Sequence, residues 1–169
     1  MLSGASSAYK AGMSQKPAPP RLVADPEASL AEAMEAAPRY EATTQGVTVS
    51  VRTFWLEDQS QPEDHHFAWA YHIRIENGGN ETIQLLTRFW EITDGRGKTD
   101  HIHGDGVIGE QPILIAQEVF EYTSGVALPT ACGFMRGMYH MIVPATGERF
   151  EVTIPAFSLD SPHRLGLVH

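Results

Sequence analysis

The chain has 169 residues, enough for one ordinary domain with an extension, and its 12 Lys and Arg against 21 Asp and Glu give a formal net charge of −9. The apolar share of 42% is typical of a globular protein, and no run of apolar residues is long enough for a transmembrane helix. The single cysteine, Cys132, excludes a disulfide framework and a multi-cysteine zinc site. The acidic balance disfavours nucleic acid as a partner.

The N-terminal part of the chain, residues 1–40, is predicted to be an extension ahead of the folded domain. Residues 1–24 are rich in Ser, Ala and Pro and contain no acid, which favours a disordered linker over the alternative of an organelle transit peptide. A short helix is predicted over about 26–37, because Asp25 is a good N-cap and a proline suits the first helical position. Pro38 ends that helix.

From residue 46 onward the hydrophobic period changes to two, which is the period of β-strands. Large apolar residues occupy every second position over 47–51 and over 67–75, and Asn77-Gly-Gly-Asn80 predicts a tight turn. The strand pattern then resumes with Ile83, Leu85 and Phe89. Later strand candidates cover 116–123, 134–143 and 148–154. We therefore predict an all-β domain over 46–169, an antiparallel β-sandwich of about seven strands that holds almost all the surplus negative charge.

Residues 104–109, Gly-Asp-Gly-Val-Ile-Gly, match the pattern G-x-G-x-x-G that holds dinucleotide phosphates at the start of a helix. Gln111-Pro112 follows at once and the next residues look extended, so a Rossmann site is excluded. Two interpretations stay open. Either the glycines only provide positive φ angles in a sandwich loop, or the loop's backbone amides form an anion-binding concavity. The residues of the second interpretation are Gly104, Gly106, Gly109, Glu110 and Gln111.

Two pairs of histidines are candidate metal ligands. His101 and His103 are two residues apart, which on a strand puts both rings on the same side. Three carboxylates are nearby in sequence: Asp100, Asp105 and Glu110. Because no third histidine is close, we predict solvated histidines and no metal site. His65-His66 lies in a turn-like segment, and the same prediction applies to it.

The sequence offers no catalytic constellation. Ser124 is not in the G-x-S-x-G elbow of a hydrolase, and Cys132 has no neighbouring base or cation that would activate its thiol. We therefore expect no enzymatic activity and no cofactor.

Five sequence blocks occur in a fixed order: QLLTRFW at 84–90, G-x-GVIGEQP at 104–112, F-x-YTSG at 120–125, G-x-M-x-G-x-Y-x-M at 133–141 and F-x-V-x-IP-x-F at 150–157. Together they resemble the ApaG family from about Val47 to the end of the chain, and residues 1–38 lie outside the resemblance. It implies a fibronectin type III-like or immunoglobulin-like β-sandwich in a small cytoplasmic bacterial protein. It also implies an association with cobalt and magnesium efflux and a suggested pyrophosphate or nucleotide site at the glycine loop.

Two main functional hypotheses follow. The first is a non-enzymatic binding module whose edge strands and aromatic sheet faces dock a protein partner, with a homodimer as one form. The alternative is a binder of pyrophosphate or a nucleotide polyphosphate through residues 104–112, with Arg88 or Arg136 as charge partners. The acidic surface opposes it unless a divalent cation bridges the charges. A direct divalent-metal role through His101 and His103 is a third, weaker hypothesis. No membrane span is expected.

Overall fold

The computed structural model describes residues 8–10, 32 and 35–163. In chain order the strands are β1 (Ala8–Lys10), β2 (Arg39–Thr44), β3 (Val47–Trp55), β4 (Phe67–Asn77), β5 (Ile83–Asp94), β6 (Thr99–Asp105), β7 (Ile113–Leu114), β8 (Val119–Leu128), β9 (Gly133–Val143) and β10 (Glu148–Leu159). Two short 3-10 helices, Glu57–Gln59 and Pro62–Asp64, lie between β3 and β4. No helix in the described ranges is long and apolar enough to cross a membrane.

The strands form two antiparallel sheets. The first has the order β1-β8-β4-β3-β2, and the second has the order β10-β9-β5-β6, with β7 pairing onto β5. β10 packs against β2 and β3 of the first sheet. Apolar side chains from the inner faces of both sheets form one core. The predicted antiparallel β-sandwich is therefore confirmed.

β4 shows why this sequence folds as a half-buried strand. Phe67, Trp69, Tyr71, Ile73 and Ile75 are all buried, while the polar residues between Tyr71 and Asn77 are only partly buried. Such alternation places one face on the core and the other toward solvent. The other predicted strand regions also form strands, as β3, β8, β9 and β10, and the predicted turn joins β4 to β5.

β5 departs from simple alternation. Ile83 and Leu85 are buried as expected, but the register with β9 shifts between Leu85 and Thr87, as in a β-bulge. A bulge inserts one extra residue and reverses which side chains face the core. After it, Trp90 and Ile92 face the core. The sequence pattern grouped Phe89 with Ile83 and Leu85, but the bulge turns Phe89 to the solvent side of the second sheet, which we call the outer face.

The N-terminal prediction is only partly covered by the structure. Most of the helix predicted over 26–37 lies outside the described residues, and Glu32, Glu35 and Ala36, which are described, are helical. Within the predicted extension, Ala8–Lys10 pairs with Tyr122–Ser124 of β8. Arg39–Thr44 pairs with β3, so the first sheet includes residues that precede position 46.

Candidate functional site

The glycine segment begins inside β6 rather than in a loop. Gly104 is part of that strand, and the chain leaves the sheet at Gly106, whose N–H donates to the Leu86 carbonyl at 2.8 Å. The segment then runs into β7, Ile113–Leu114, instead of a helix. The exclusion of a dinucleotide-type glycine motif therefore agrees with the structure.

A two-residue reverse turn occupies the middle of the segment. The N–H of Val107 donates to the Glu110 carbonyl at 2.8 Å, and the N–H of Glu110 donates back to Val107 at 2.9 Å. Ile108 and Gly109 between them have φ of 40° and 81°, which is the pattern of a type I′ turn. Two loop amides are thus already bonded within the turn, in addition to that of Gly106. This arrangement favours the interpretation that the glycines serve the backbone.

The Arg88 guanidinium lies directly against Gly104. Its Nη1 donates to the carbonyls of Asp105 at 3.1 Å and Gly106 at 2.7 Å. A Cβ atom added at Gly104 would lie 2.6 Å from the Arg88 Cζ. The fold does bring Arg88 to the loop, as the phosphate hypothesis required, but it uses Nη1 to hold the strand end. Arg136 lies elsewhere, because it pairs with Glu91 on the outer face.

Gln111 also has a structural role, since its Nε2 donates to the Leu86 carbonyl at 2.9 Å and its own carbonyl accepts from Gln84 at 3.1 Å. Both contacts tie the glycine segment to the bulge in β5. The fold thus brings the residues predicted as a loop together and ties them to β5.

Three buried tyrosines lie between the sheets. The hydroxyls of Tyr122 and Tyr139 are 2.5 Å apart in a hydrogen bond. Burial raises the pKa of both, and that of Tyr71, above the usual value of 10.0. Hydrogen bonds to Tyr71 and Tyr139, and then the Arg88 charge, oppose the rise. No buried side-chain nitrogen or oxygen among the described residues lacks a hydrogen-bond partner.

The tyrosine pair gives a testable coupling. Tyr139→Phe should reduce the free energy of unfolding by about 1–3 kcal/mol, because it leaves the Tyr122 hydroxyl buried without its partner. Tyr122→Phe should cost a similar amount. The double variant should cost less than the sum of the two, since no unpaired hydroxyl remains in it. Urea denaturation of the four proteins measures the coupling, and strictly additive losses would contradict it.

The histidines that the sequence singled out lie on β6 with their rings on the outer face. Both rings lie close to that of Phe89, with centroid distances of 5.7 Å for His101 and 4.7 Å for His103. The His101 Nε2 lies 3.3 Å from a Glu91 oxygen. Within the described residues no group of three or more His, Cys, Asp or Glu side chains is placed to hold a metal ion.

Glu91 is the charged centre of this face. Its carboxylate accepts hydrogen bonds from Arg136 and His101, and these contacts hold its pKa below the usual 4.5. Because the folded pKa is depressed, the stability that Glu91 contributes is present above pH 4.5 and is lost as the pH falls through the folded pKa.

Arg136→Gln should raise the pKa of Glu91 toward 4.5, since it removes the main hydrogen-bond donor. A carboxyl-carbon NMR titration of the wild type and the variant measures this directly. Arg149→Gln, a change on the neighbouring strand β10, should leave the pKa unaltered. Glu91 titrating at its ordinary value in the wild type would contradict the assignment.

Apolar side chains also reach the solvent on this side of the sandwich. We define the outer face as the solvent side of β5, β6, β7, β9 and β10. Its apolar members are Leu86, Phe89, Ile113, Phe134, Met138 and Ile142. Phe134 is 43% exposed and Ile113 is 55% exposed. A groove of about 410 Å³ opens at this side of the sandwich, lined by Leu86, Thr87 and His140 and, toward the core, by Met141 and Phe150.

Among the described residues, ion pairs also lie on the solvent side of the first sheet, including His72–Glu121, Arg74–Glu76 and Arg39–Glu41. The outer face of the second sheet has Arg136–Glu91 and His140–Glu151, so ion pairing does not distinguish the two faces. Sequence analysis expected aromatic sheet faces but did not identify the residues. The sequence of β9 does indicate an apolar outer face. Phe134 and Met138 alternate with the buried Met135 and Tyr139, so apolar residues occupy both the solvent-facing and the core-facing positions of this strand.

The comparisons agree with the fold. Residues 57–143 match the family model described as the ApaG domain. Protein ApaG of Rhodospirillum centenum is 57% identical over 124 residues, which cover 73% of this chain and 95% of that protein. Protein ApaG of Paramagnetospirillum magneticum is 52% identical with the same coverage. A crystal structure of the ApaA protein from Bordetella pertussis is 41% identical, with a TM-score of 0.66, and covers 75% of this chain and 97% of that one. The chain therefore belongs to the ApaG domain family.

Proposed function

We propose that this chain is a non-enzymatic binding module that docks a protein partner through the outer face of its second sheet. The observation that supports the proposal is the row of solvent-facing apolar side chains on that face, with Phe134 at 43% exposure. Exposed apolar patches edged by polar groups are typical of protein interaction sites. Aromatic, Met and Arg side chains, all of which occur on this face, are enriched in such interfaces.

The charge of the chain limits the kind of partner. With a formal net charge of −9, the module attracts a partner that surrounds its apolar contact surface with basic residues. Glu91 already pairs with Arg136 and is hydrogen-bonded to His101, so the middle of the face can be covered without leaving an unpaired carboxylate. An association with cobalt and magnesium homeostasis would then act through the partner, in the cytoplasm.

The test compares two faces of one fold. Affinity capture with the full chain should retain a partner that mass spectrometry identifies. Phe134→Ser combined with Met138→Ala should lower its recovery at least tenfold. Phe54→Ala, a change of a half-buried aromatic residue in β3 of the first sheet, is the matched control and should leave recovery unchanged. Equal loss in both variants, or loss in neither, would contradict the docking face.

The alternative function is binding of pyrophosphate or a nucleotide polyphosphate at Gly104, Gly106, Gly109, Glu110 and Gln111. The position of Arg88 at this segment is the observation in its favour. Against it, the contacts of Arg88 and three loop amides are already made to backbone carbonyls. Calorimetry with pyrophosphate and a dinucleoside polyphosphate, with and without Mg²⁺, should show no binding tighter than millimolar. Micromolar binding that Arg88→Gln abolishes would favour the alternative.

A further inference from the structure

β6 is an open edge of the second sheet. Within the described part of the chain, its one strand neighbour is β5. The side chains of Thr99, His101, His103 and Asp105 are exposed along it. An edge strand presents unpaired backbone N–H and C=O groups that pair with a strand from another chain.

The two histidines on this edge offer two imidazoles on one face of the strand, with both rings packed beside Phe89 of β5. His101 and His103 lie on the same face, and the side chain of His101 is 54% exposed. Glu91 contacts the Nε2 of His101, so the Nδ1 of His101 is the ring nitrogen that would bind a metal ion. Arg136 donates a hydrogen bond to Glu91 and holds it in place. Metal-binding histidines are commonly oriented in this way by a carboxylate on the second ring nitrogen.

A second copy supplies a matching pair of imidazoles by symmetry. If two β6 strands pair in antiparallel fashion about a two-fold axis at Ile102, His101 of each copy lies opposite His103 of the other. An axis perpendicular to the sheet keeps all four rings on one face. Opposed Cβ atoms are then about 5 Å apart, and alternate residues along a strand are about 6.6 Å apart. On the other side of the pair, the two half-buried Ile102 side chains meet.

We propose that β6 binds a divalent transition-metal ion of the Zn²⁺ type between two copies of this chain, through His101 and His103 of each. Four imidazoles suit the tetrahedral preference of Zn²⁺, whereas Mg²⁺ prefers oxygen ligands. The ion also offsets part of the repulsion between two chains that each carry −9. The second chain therefore supplies the two further ligands that one chain lacks.

The experiment uses the full chain in sedimentation velocity, first with EDTA and then with ZnCl₂ at half a molar equivalent. The expected result is a monomer in EDTA and a dimer with Zn²⁺, with one Zn²⁺ per two chains by elemental analysis after desalting. Mg²⁺ should not produce the dimer. His103→Ala and His101→Ala should each weaken Zn²⁺-dependent dimerisation by about 100-fold or more, because each variant removes two of the four ligands.

Two controls keep the result specific. His66→Ala changes an exposed histidine in the turn before β4 and should dimerise as the wild type does. Phe134→Ser with Met138→Ala should also retain the Zn²⁺-bridged dimer, so failure of this proposal and failure of the docking face are distinguishable. A protein that stays monomeric with Zn²⁺, that binds one Zn²⁺ per chain without dimerising, or whose dimer survives His103→Ala would overturn the proposal.

Discussion

Replacing Gly137 with Ala is expected to lower the free energy of unfolding by about 2–4 kcal/mol, since the added methyl group overpacks the interior. Its Cβ would lie 2.1 Å from the Phe89 carbonyl oxygen and 3.1 Å from the Trp90 ring. Neither atom moves easily, because Phe89 belongs to the paired backbone of β5 and Trp90 is buried against Tyr71 and Phe157. Thermal and urea denaturation measure the loss.

Gly125→Ala is the matched control for this prediction. Gly125 is also inside a strand, β8, but a Cβ there would be an ordinary 3.5 Å from the Trp69 carbonyl oxygen. Since glycine is unfavourable in strands, this change should be neutral or stabilise by up to about 1 kcal/mol. Similar losses at both positions would show that strand glycines respond to a methyl group in general, and not to the contact with β5.

The strands that carry an apolar face were predictable from local sequence. β4 has a large apolar residue at every second position, and from Trp69 onward burial follows that alternation. β2 and β6 were not assigned as strands because they lie at sheet edges, where little apolar surface is needed. β6 has Ile102 as its one large apolar residue. An edge strand forms because its backbone pairs with a neighbouring strand. Alternation of apolar and polar residues along the sequence does not reveal such pairing.

The site was less predictable because long-range contacts define it. The glycine pattern at 104–109 was visible, but the contact of Gly104 with the Arg88 side chain comes from another strand. The outward position of Phe89 follows from a bulge at Leu86, and the apolar pattern before and after the bulge does not reveal where the phase reverses. His101 and His103 were identified, whereas their contacts with Phe89 and Glu91 needed the register of β5 with β6.

Gly106→Ala is the second substitution with a large expected effect, a loss of about 3 kcal/mol in the free energy of unfolding. Gly106 has φ of 60°, which costs any L-residue other than Asn or Asp about 1 kcal/mol or more. Its Cβ would also lie 2.1 Å from the Glu110 carbonyl oxygen, the acceptor of the Val107 amide. The turn must open to admit the methyl group, so the Val107–Glu110 hydrogen bonds are lost.

Gly97→Ala separates the cost of the positive φ from the cost of the clash with the Glu110 carbonyl oxygen. Gly97 also has a positive φ, 89°, but a Cβ there would have no neighbour within 4 Å. It should therefore show the backbone cost alone, about 1 kcal/mol. If Gly106→Ala and Gly97→Ala lower the free energy of unfolding by the same amount, the turn is not held together by its own hydrogen bonds. If the two losses are equal and Gly106→Ala also abolishes pyrophosphate binding, Gly106 serves a ligand. A larger loss at Gly106, with no pyrophosphate binding in the wild type, means that this glycine is required by the fold that presents the outer face.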